Sequence, residues 1–170
     1  MDDKGQKKIP RIVIYGSVGF EELIRRFKTY TGKSFPVLFS DPSGTGEAVA
    51  ADIIAAELGL QLHRADLSSL VNRHIDETEK NLSSVFRAAS SVKALLFFEE
   101  ADVLFGRRAE DDDLNNRYAG MEVKCLLRKI EEYDGIVVLA TRHSKSIDEA
   151  FIRRMQFVVD FPAAESQTGQ

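Results

Sequence analysis

The chain has 170 residues, one cysteine and a formal charge of −4, which fits one domain with its own core and argues against general nucleic-acid binding. No apolar run approaches the roughly 20 residues of a membrane-spanning helix, and the charged start, Met1 to Lys8, lacks the apolar stretch of a secretory signal. Cys125 lies among Val123, Leu126 and Leu127, so it reads as a small buried apolar residue, and a reducing, cytoplasmic compartment is expected.

In chain order, residues 11–15 read as a strand or loop and residues 21–27 as a helix. Residues 36–40 (PVLFS) are a short apolar strand. Residues 48–58 follow as a helix, with Val49, Ile53, Ile54 and Leu58 near helical spacing and Gly59 as its stop. Residues 61–66 form a second strand, and residues 77–89 a helix with Leu82, Val85, Phe86 and Ala89 on one face. Residues 94–98 (ALLFF) are apolar on both faces and predict a central strand. A helix over 118–132, a buried strand over 135–140, a short helix over 148–155 and a last strand over 157–161 complete the pattern. Pro162 ends that strand, and the small polar residues 163–170 read as a disordered tail. Strands alternating with helices predict an α/β fold around a parallel sheet.

Between the apolar strand and its helix lies Asp41-Pro42-Ser43-Gly44-Thr45-Gly46-Glu47-Ala48. A strand, a glycine-rich turn and a helix start form the geometry of a phosphate cradle, in which backbone N–H groups and the helix dipole favour an anion. The working motif ends in Gly-Lys-Ser/Thr, with the lysine on the phosphates and the hydroxyl on Mg²⁺. Here Glu47 and Ala48 hold those positions. A carboxylate about 4 Å from a phosphate charge costs roughly 4 kcal/mol at an effective dielectric near 20. The loop shape and its charge therefore oppose each other, and a glycine turn with no ligand is the alternative reading of these residues.

Later blocks widen the pattern. Tyr15-Gly16 and Gly19-Phe20, then residues 75–82 (IDETEKNL), Phe97-Phe98-Glu99-Glu100-Ala101-Asp102, Leu139-Ala140-Thr141-Arg142 and residues 148–154 (DEAFIRR) occur in a fixed order. Together with the loop at 41–48 they resemble the AAA+ P-loop ATPases, most closely a bacterial group, from about Ile14 to Phe161. The blocks resemble, in turn, the segment on the adenine side, the pore-loop region with its helix, Walker B, sensor 1 and the arginine-finger stretch. The resemblance implies a three-layer α/β/α P-loop NTPase fold with a five-stranded parallel sheet of order 5-1-4-3-2 and no helical lid subdomain. It divides the chain into an N-terminal extension at 1–33, an AAA+ large subdomain at 34–162 and the tail at 163–170.

The resemblance also assigns roles, and the departures cluster at the chemistry. Pro42, Ser43, Gly44, Thr45, Gly46, Glu47 and Ala48 take the nucleotide-binding positions. Glu100 matches the Walker B glutamate that orients the attacking water, and Glu99 stands for the aspartate behind Mg²⁺. The extra methylene of Glu99 displaces that carboxylate, and about 1 Å of misplacement can cost about a hundredfold in rate. Arg142 replaces the neutral sensor 1 asparagine and is the candidate cation for a cluster of Glu47, Glu99 and Glu100. Arg153 and Arg154 match the finger stretch, aimed at a neighbouring subunit. Solvated surface charge is the alternative reading of Arg142 and Arg153. In the pore-loop position, His74-Ile75-Asp76 lacks the family's glycine.

The expected function is therefore a pseudo-ATPase acting as an interaction or assembly module. ATP and Mg²⁺ are the cofactors only if the site works, and none is expected to be bound. Expected partners are copies of itself, as in AAA+ rings, or another protein, with no nucleic acid and no membrane. The alternative is an ATP-binding AAA+ ATPase with weak hydrolysis that remodels proteins as a ring; a piece of a longer protein is a third reading. No metal centre is expected, because His63 and His74 lack ligand-spaced partners and the acidic run 110–113 reads as a solvated loop. Restoring Glu47→Lys and Ala48→Thr is expected to recover ATP binding, provided the rest of the cradle is intact.

Overall fold

The computed structural model describes residues 11–29, 34–44, 46–105 and 113–162. Thr45, the acidic residues 110–112 and the tail 163–170 lie outside them. Among the described residues there are six strands: β1 (Arg11–Ile14), β2 (Phe35–Ser40), β3 (Leu62–Asp66), β4 (Leu95–Glu99), β5 (Ile136–Thr141) and β6 (Phe157–Asp160). All pair in parallel, in the order β1-β6-β2-β5-β4-β3.

The expected five strands keep their order within this sheet, and Phe98 pairs with Leu139 as adjacent strands require. The count is corrected to six. Residues 11–14, read only as a strand or loop, add to the open side of β6 in register Arg11 with Phe157 to Ile14 with Asp160. Their weak signal has a physical reason: at the sheet edge only Val13 is buried, so the short run shows no continuous apolar stretch. The strands β2, β4 and β5 are buried on both faces, as parallel strands covered by helices must be.

Two apolar layers cover the sheet, one on each face. One holds Leu23 and Phe27 of α1 (Val18–Thr29) with Ala50, Ala51, Ile54 and Ala55 of α2 (Glu47–Leu58), packed on Val37, Phe39, Leu95 and Phe97. The other holds Leu82, Phe86 and Ala89 of α4 (Ile75–Ser91) with Val123, Leu126 and Ile130 of α5 (Asp113–Glu132), packed on Leu38, Leu96, Phe98 and Leu139. Cys125 is buried in this second layer, and its thiol pKa is raised, first by burial.

The buried face of α2 differs from the expected one. Val49 and Ile53 are exposed, while Ala50, Ala51 and Ala55 face the sheet. Alanines leave little side-chain bulk between that face of α2 and the sheet. Gly59 ends α2 as expected, in the left-handed conformation (φ 68°).

Two shorter helices are α3 (Leu67–Leu70), directly after β3, and α6 (Glu149–Ile152), ahead of β6. Each begins with an aspartate, Asp66 or Asp148, whose carboxylate accepts from the N–H two residues on. The sequence reading did not single out α3, although Asp66-Leu67-Ser68 carries that capping signal.

Candidate functional site

The loop between β2 and α2 leaves the carboxyl end of a central strand, where parallel α/β sheets place their ligands. Asp41 opens it. Its N–H donates to the Thr141 carbonyl on β5 at 2.9 Å, and its own carbonyl accepts from Gly44 N at 3.0 Å, closing a turn. Gly44 takes φ +69°, a left-handed conformation that glycine adopts without strain. The Arg142 guanidinium fills the space where a Gly44 side chain would stand.

The Asp41 side chain turns inward. Oδ1 accepts from Ser43 N at 3.1 Å and Ser43 Oγ at 2.6 Å, and Oδ2 accepts from Gly46 N at 2.7 Å. Asp41 is only 1% exposed. Burial opposes its ionisation, but hydrogen bonds from Glu47, Ser43 and Gly46 outweigh it and hold the carboxyl down to about 2.

Glu47, the first residue of α2, faces the same carboxylate. Burial, followed by the hydrogen bond with Asp41, pushes the Glu47 carboxyl up to about 7; the Arg142 charge opposes that rise. Glu47 Oε2 is buried and receives no hydrogen bond. A neutral carboxyl that gives its proton to Asp41 suits this position better than a second carboxylate.

The other carboxylates sit at the end of β4. Glu99 accepts from Arg64 Nη2 at 2.7 Å, a pair that joins neighbouring strands β3 and β4. The Arg64 pKa is raised first by that hydrogen bond and the Glu99 charge, then by Asp52 and Glu47. Glu99 is thus partnered by Arg64, not by the expected Arg142. Arg142 lies over Gly44, on the Glu47 side of the site. Both members of the Arg64–Glu99 pair are partly exposed, so the pair contributes little stability. Glu100 follows with φ 61° and is exposed.

Asp102 fixes the loop after β5. It accepts the Thr141 hydroxyl at one oxygen and Arg142 N at the other, the latter at 2.9 Å. Arg153 pairs with Glu149 of its own helix at 2.6 Å, and Arg154 pairs with Glu131. Both finger candidates are therefore engaged within this chain. Pro42 is exposed, and Ser43, Gly46 and Ala48 are half-buried. Phe161 packs against Gly46 and stacks on Tyr15, so the segment on the expected adenine side meets the loop through aromatic contact.

Sequence reasoning missed Asp41, Arg64 and Asp102. Asp41 had a signal: counting back from Gly46 by the G-x-x-x-x-G-K spacing, position 41 is the motif's first glycine. Arg64 and Asp102 had none, because their partners lie far along the chain and meet them only through the sheet. Among the described residues no group of three or more His, Cys, Asp or Glu could hold a metal ion. No helix among them is long and apolar enough to cross a membrane.

Residues 37–163 match the ATPase family associated with various cellular activities (AAA). The chain belongs to the AAA family. This AAA domain is similar to an uncharacterized AAA family ATPase of Sinorhizobium fredii, 35% identical over 76% of the chain and 39% of that protein. It is similar to the ATPase family gene 2 protein of Schizosaccharomyces pombe, 33% identical over 69% of the chain and 15% of that protein. It is also similar to Cell division protein C of Sulfolobus acidocaldarius, 25% identical over 92% of the chain and 47% of that protein. The chain spans less than half the length of these relatives.

Proposed function

We propose that this AAA domain is a pseudo-ATPase, a nucleotide-independent module that acts by packing against other copies or another protein. The observation that carries the reading is Glu47 with its raised pKa, in contact with Asp41 where the family's phosphate-binding lysine stands. ATP with Mg²⁺, the group that the family implies, does not fit these residues. A polyanion would meet two acids in place of a cation and a glycine, and Ala48 brings no hydroxyl for the metal. Glu99, tied to Arg64, and Arg142 in place of asparagine add to the mismatch. Residues 34–162 are the large subdomain in this reading, and a cytoplasmic location suits the single buried cysteine.

The second reading is an ATP-binding AAA+ ATPase with weak hydrolysis that remodels proteins as a ring. The turn at Gly44, with its positive φ, and the presence of Glu100 favour it. Phosphate release separates the two. The unmodified chain is expected to show no Mg²⁺-dependent release of phosphate from ATP above background. Release that Glu100→Gln abolishes sinks the pseudo-ATPase reading and establishes the enzyme.

A further inference from the structure

A phosphate cradle works because several backbone N–H groups converge on one point with no acceptor of their own. In this loop the donors at Ser43 and Gly46 already share an acceptor. Both oxygens of the Asp41 carboxylate are used, and the Ser43 hydroxyl adds a third donor at 2.6 Å. Asp41 starts where β2 ends, its backbone is pinned to β5 through the Thr141 carbonyl, and it is almost fully buried.

We propose that Asp41 is a built-in occupant of the cradle, an internal anion that takes the N–H donors a phosphate would need and keeps the loop closed to phosphate ligands. The inference rests on the nucleotide-independent reading and deepens it by naming the residue that closes the site. The carboxylate is a fair substitute for one face of a phosphate. It carries negative charge, accepts in two directions and sits at the N-terminal end of α2, where an anion is favoured. An entering phosphate has to expel it into a loop whose neighbours include Glu47.

This changes what restoring the lysine does. Glu47→Lys with Ala48→Thr was expected to recover binding only with the rest of the cradle intact, and the cradle is occupied. The ammonium group that Glu47→Lys introduces meets the Asp41 carboxylate and is neutralised by it. Opening the loop requires removal of Asp41.

The test uses inorganic pyrophosphate as the probe, with the Ser43 and Gly46 amides followed by NMR in the whole chain, in Asp41→Gly, in Glu47→Lys and in the two combined. The parent and Glu47→Lys are expected to show no pyrophosphate-dependent shift. Asp41→Gly is expected to show shifts at both amides, and the combined variant to bind about 10- to 100-fold more tightly, as one added charge-assisted hydrogen bond provides. Without the probe, solvent exchange of the Gly46 amide should quicken by about 10- to 100-fold in Asp41→Gly, since its charged acceptor is gone.

Pyrophosphate binding by the parent, equal binding by Glu47→Lys and the combined variant, or no response in folded Asp41→Gly each overturns the proposal. All but the first leave the nucleotide-independent reading standing; Mg²⁺-dependent ATP hydrolysis by the parent removes that reading instead. If Asp41→Gly does not fold, Asp41→Asn keeps the side-chain size but replaces one acceptor oxygen with a donor. Unchanged Gly46 exchange in that variant also overturns the proposal.

Discussion

The stability of this AAA domain is expected to fall as the pH rises from about 4.5 to about 7 and then to level off. The cause is Glu47, whose carboxyl is raised from 4.5 to about 7 by burial and its contact with Asp41. A group with a raised folded pKa holds its proton better in the folded state. The native chain thus binds more protons than the unfolded one throughout that window, and stability falls with rising pH. The full shift corresponds to about 3 kcal/mol at about 1.4 kcal/mol per pKa unit, and partial solvent screening reduces it to about 1–2 kcal/mol. Asp41 does not contribute to this slope. Its carboxyl is held near 2, so its stabilisation is complete above the ordinary aspartate value of 3.8 and is lost only as the pH falls towards 2. Glu47→Gln keeps the shape and donates to Asp41 without ionising. Urea denaturation from pH 4.5 to 8 should show a flatter profile for this variant and higher stability at pH 8. Parallel profiles for the two proteins would show that Glu47 is not the titrating group.

A larger loss, about 3–5 kcal/mol, is expected for Phe98→Ala. Phe98 is fully buried in β4, with its ring 5.5 Å from that of Phe86 on α4 and Leu139 beside it on β5. Its removal leaves a cavity at the centre of one apolar layer, which close-packed neighbours fill only in part. The next residue in the strand is Glu99, so the same variant should loosen the Arg64–Glu99 pair at the strand end. Val49→Ala on the exposed side of α2 is the comparison, expected to change stability by about 0.5 kcal/mol or less. Urea midpoints read both changes. A loss below about 1 kcal/mol for Phe98→Ala would mean that this layer closes around the gap.

Much of the fold was legible because its central strands are apolar on both faces. Residues 36–40, 94–98 and 135–140 need no neighbour to reveal them, since a covered parallel sheet buries every side chain of such a run. The edge strand β1 was ambiguous for the opposite reason: it buries one residue in four. The helix α2 was legible in extent but not in face. Its apolar residues nearly encircle it, so spacing alone could not say that Ala50 and Ala51, rather than Val49 and Ile53, meet the sheet. At the site, the unusual letters Glu47, Ala48, Glu99 and Arg142 were visible at once, but their partners were not. Arg64 and Glu99 are 35 residues apart, and only the register of β3 with β4 brings them together. Asp41 was readable by counting but passed for the first residue of a turn, because its role depends on which way its carboxylate points.

The sheet order also fixes a timetable for synthesis. The strand β6 lies between β1 and β2 in the sheet but follows both in the chain, so β1 has no place in the sheet until β6 has appeared. During translation, β2 to β5 can pair among themselves while β1 and part of α1 wait without their template. The side of β2 that β6 will occupy stays open over that period, lined by Val37, Leu38 and Phe39. Such an unpaired apolar strand is the kind of surface that chaperones cover and that aggregation exploits. A ribosome-bound chain halted before residue 157 should therefore leave the amides of Arg11–Ile14 freely exchanging, and release of a chain that includes β6 should protect them. Protection of those amides in the halted chain would show that β1 finds another partner first.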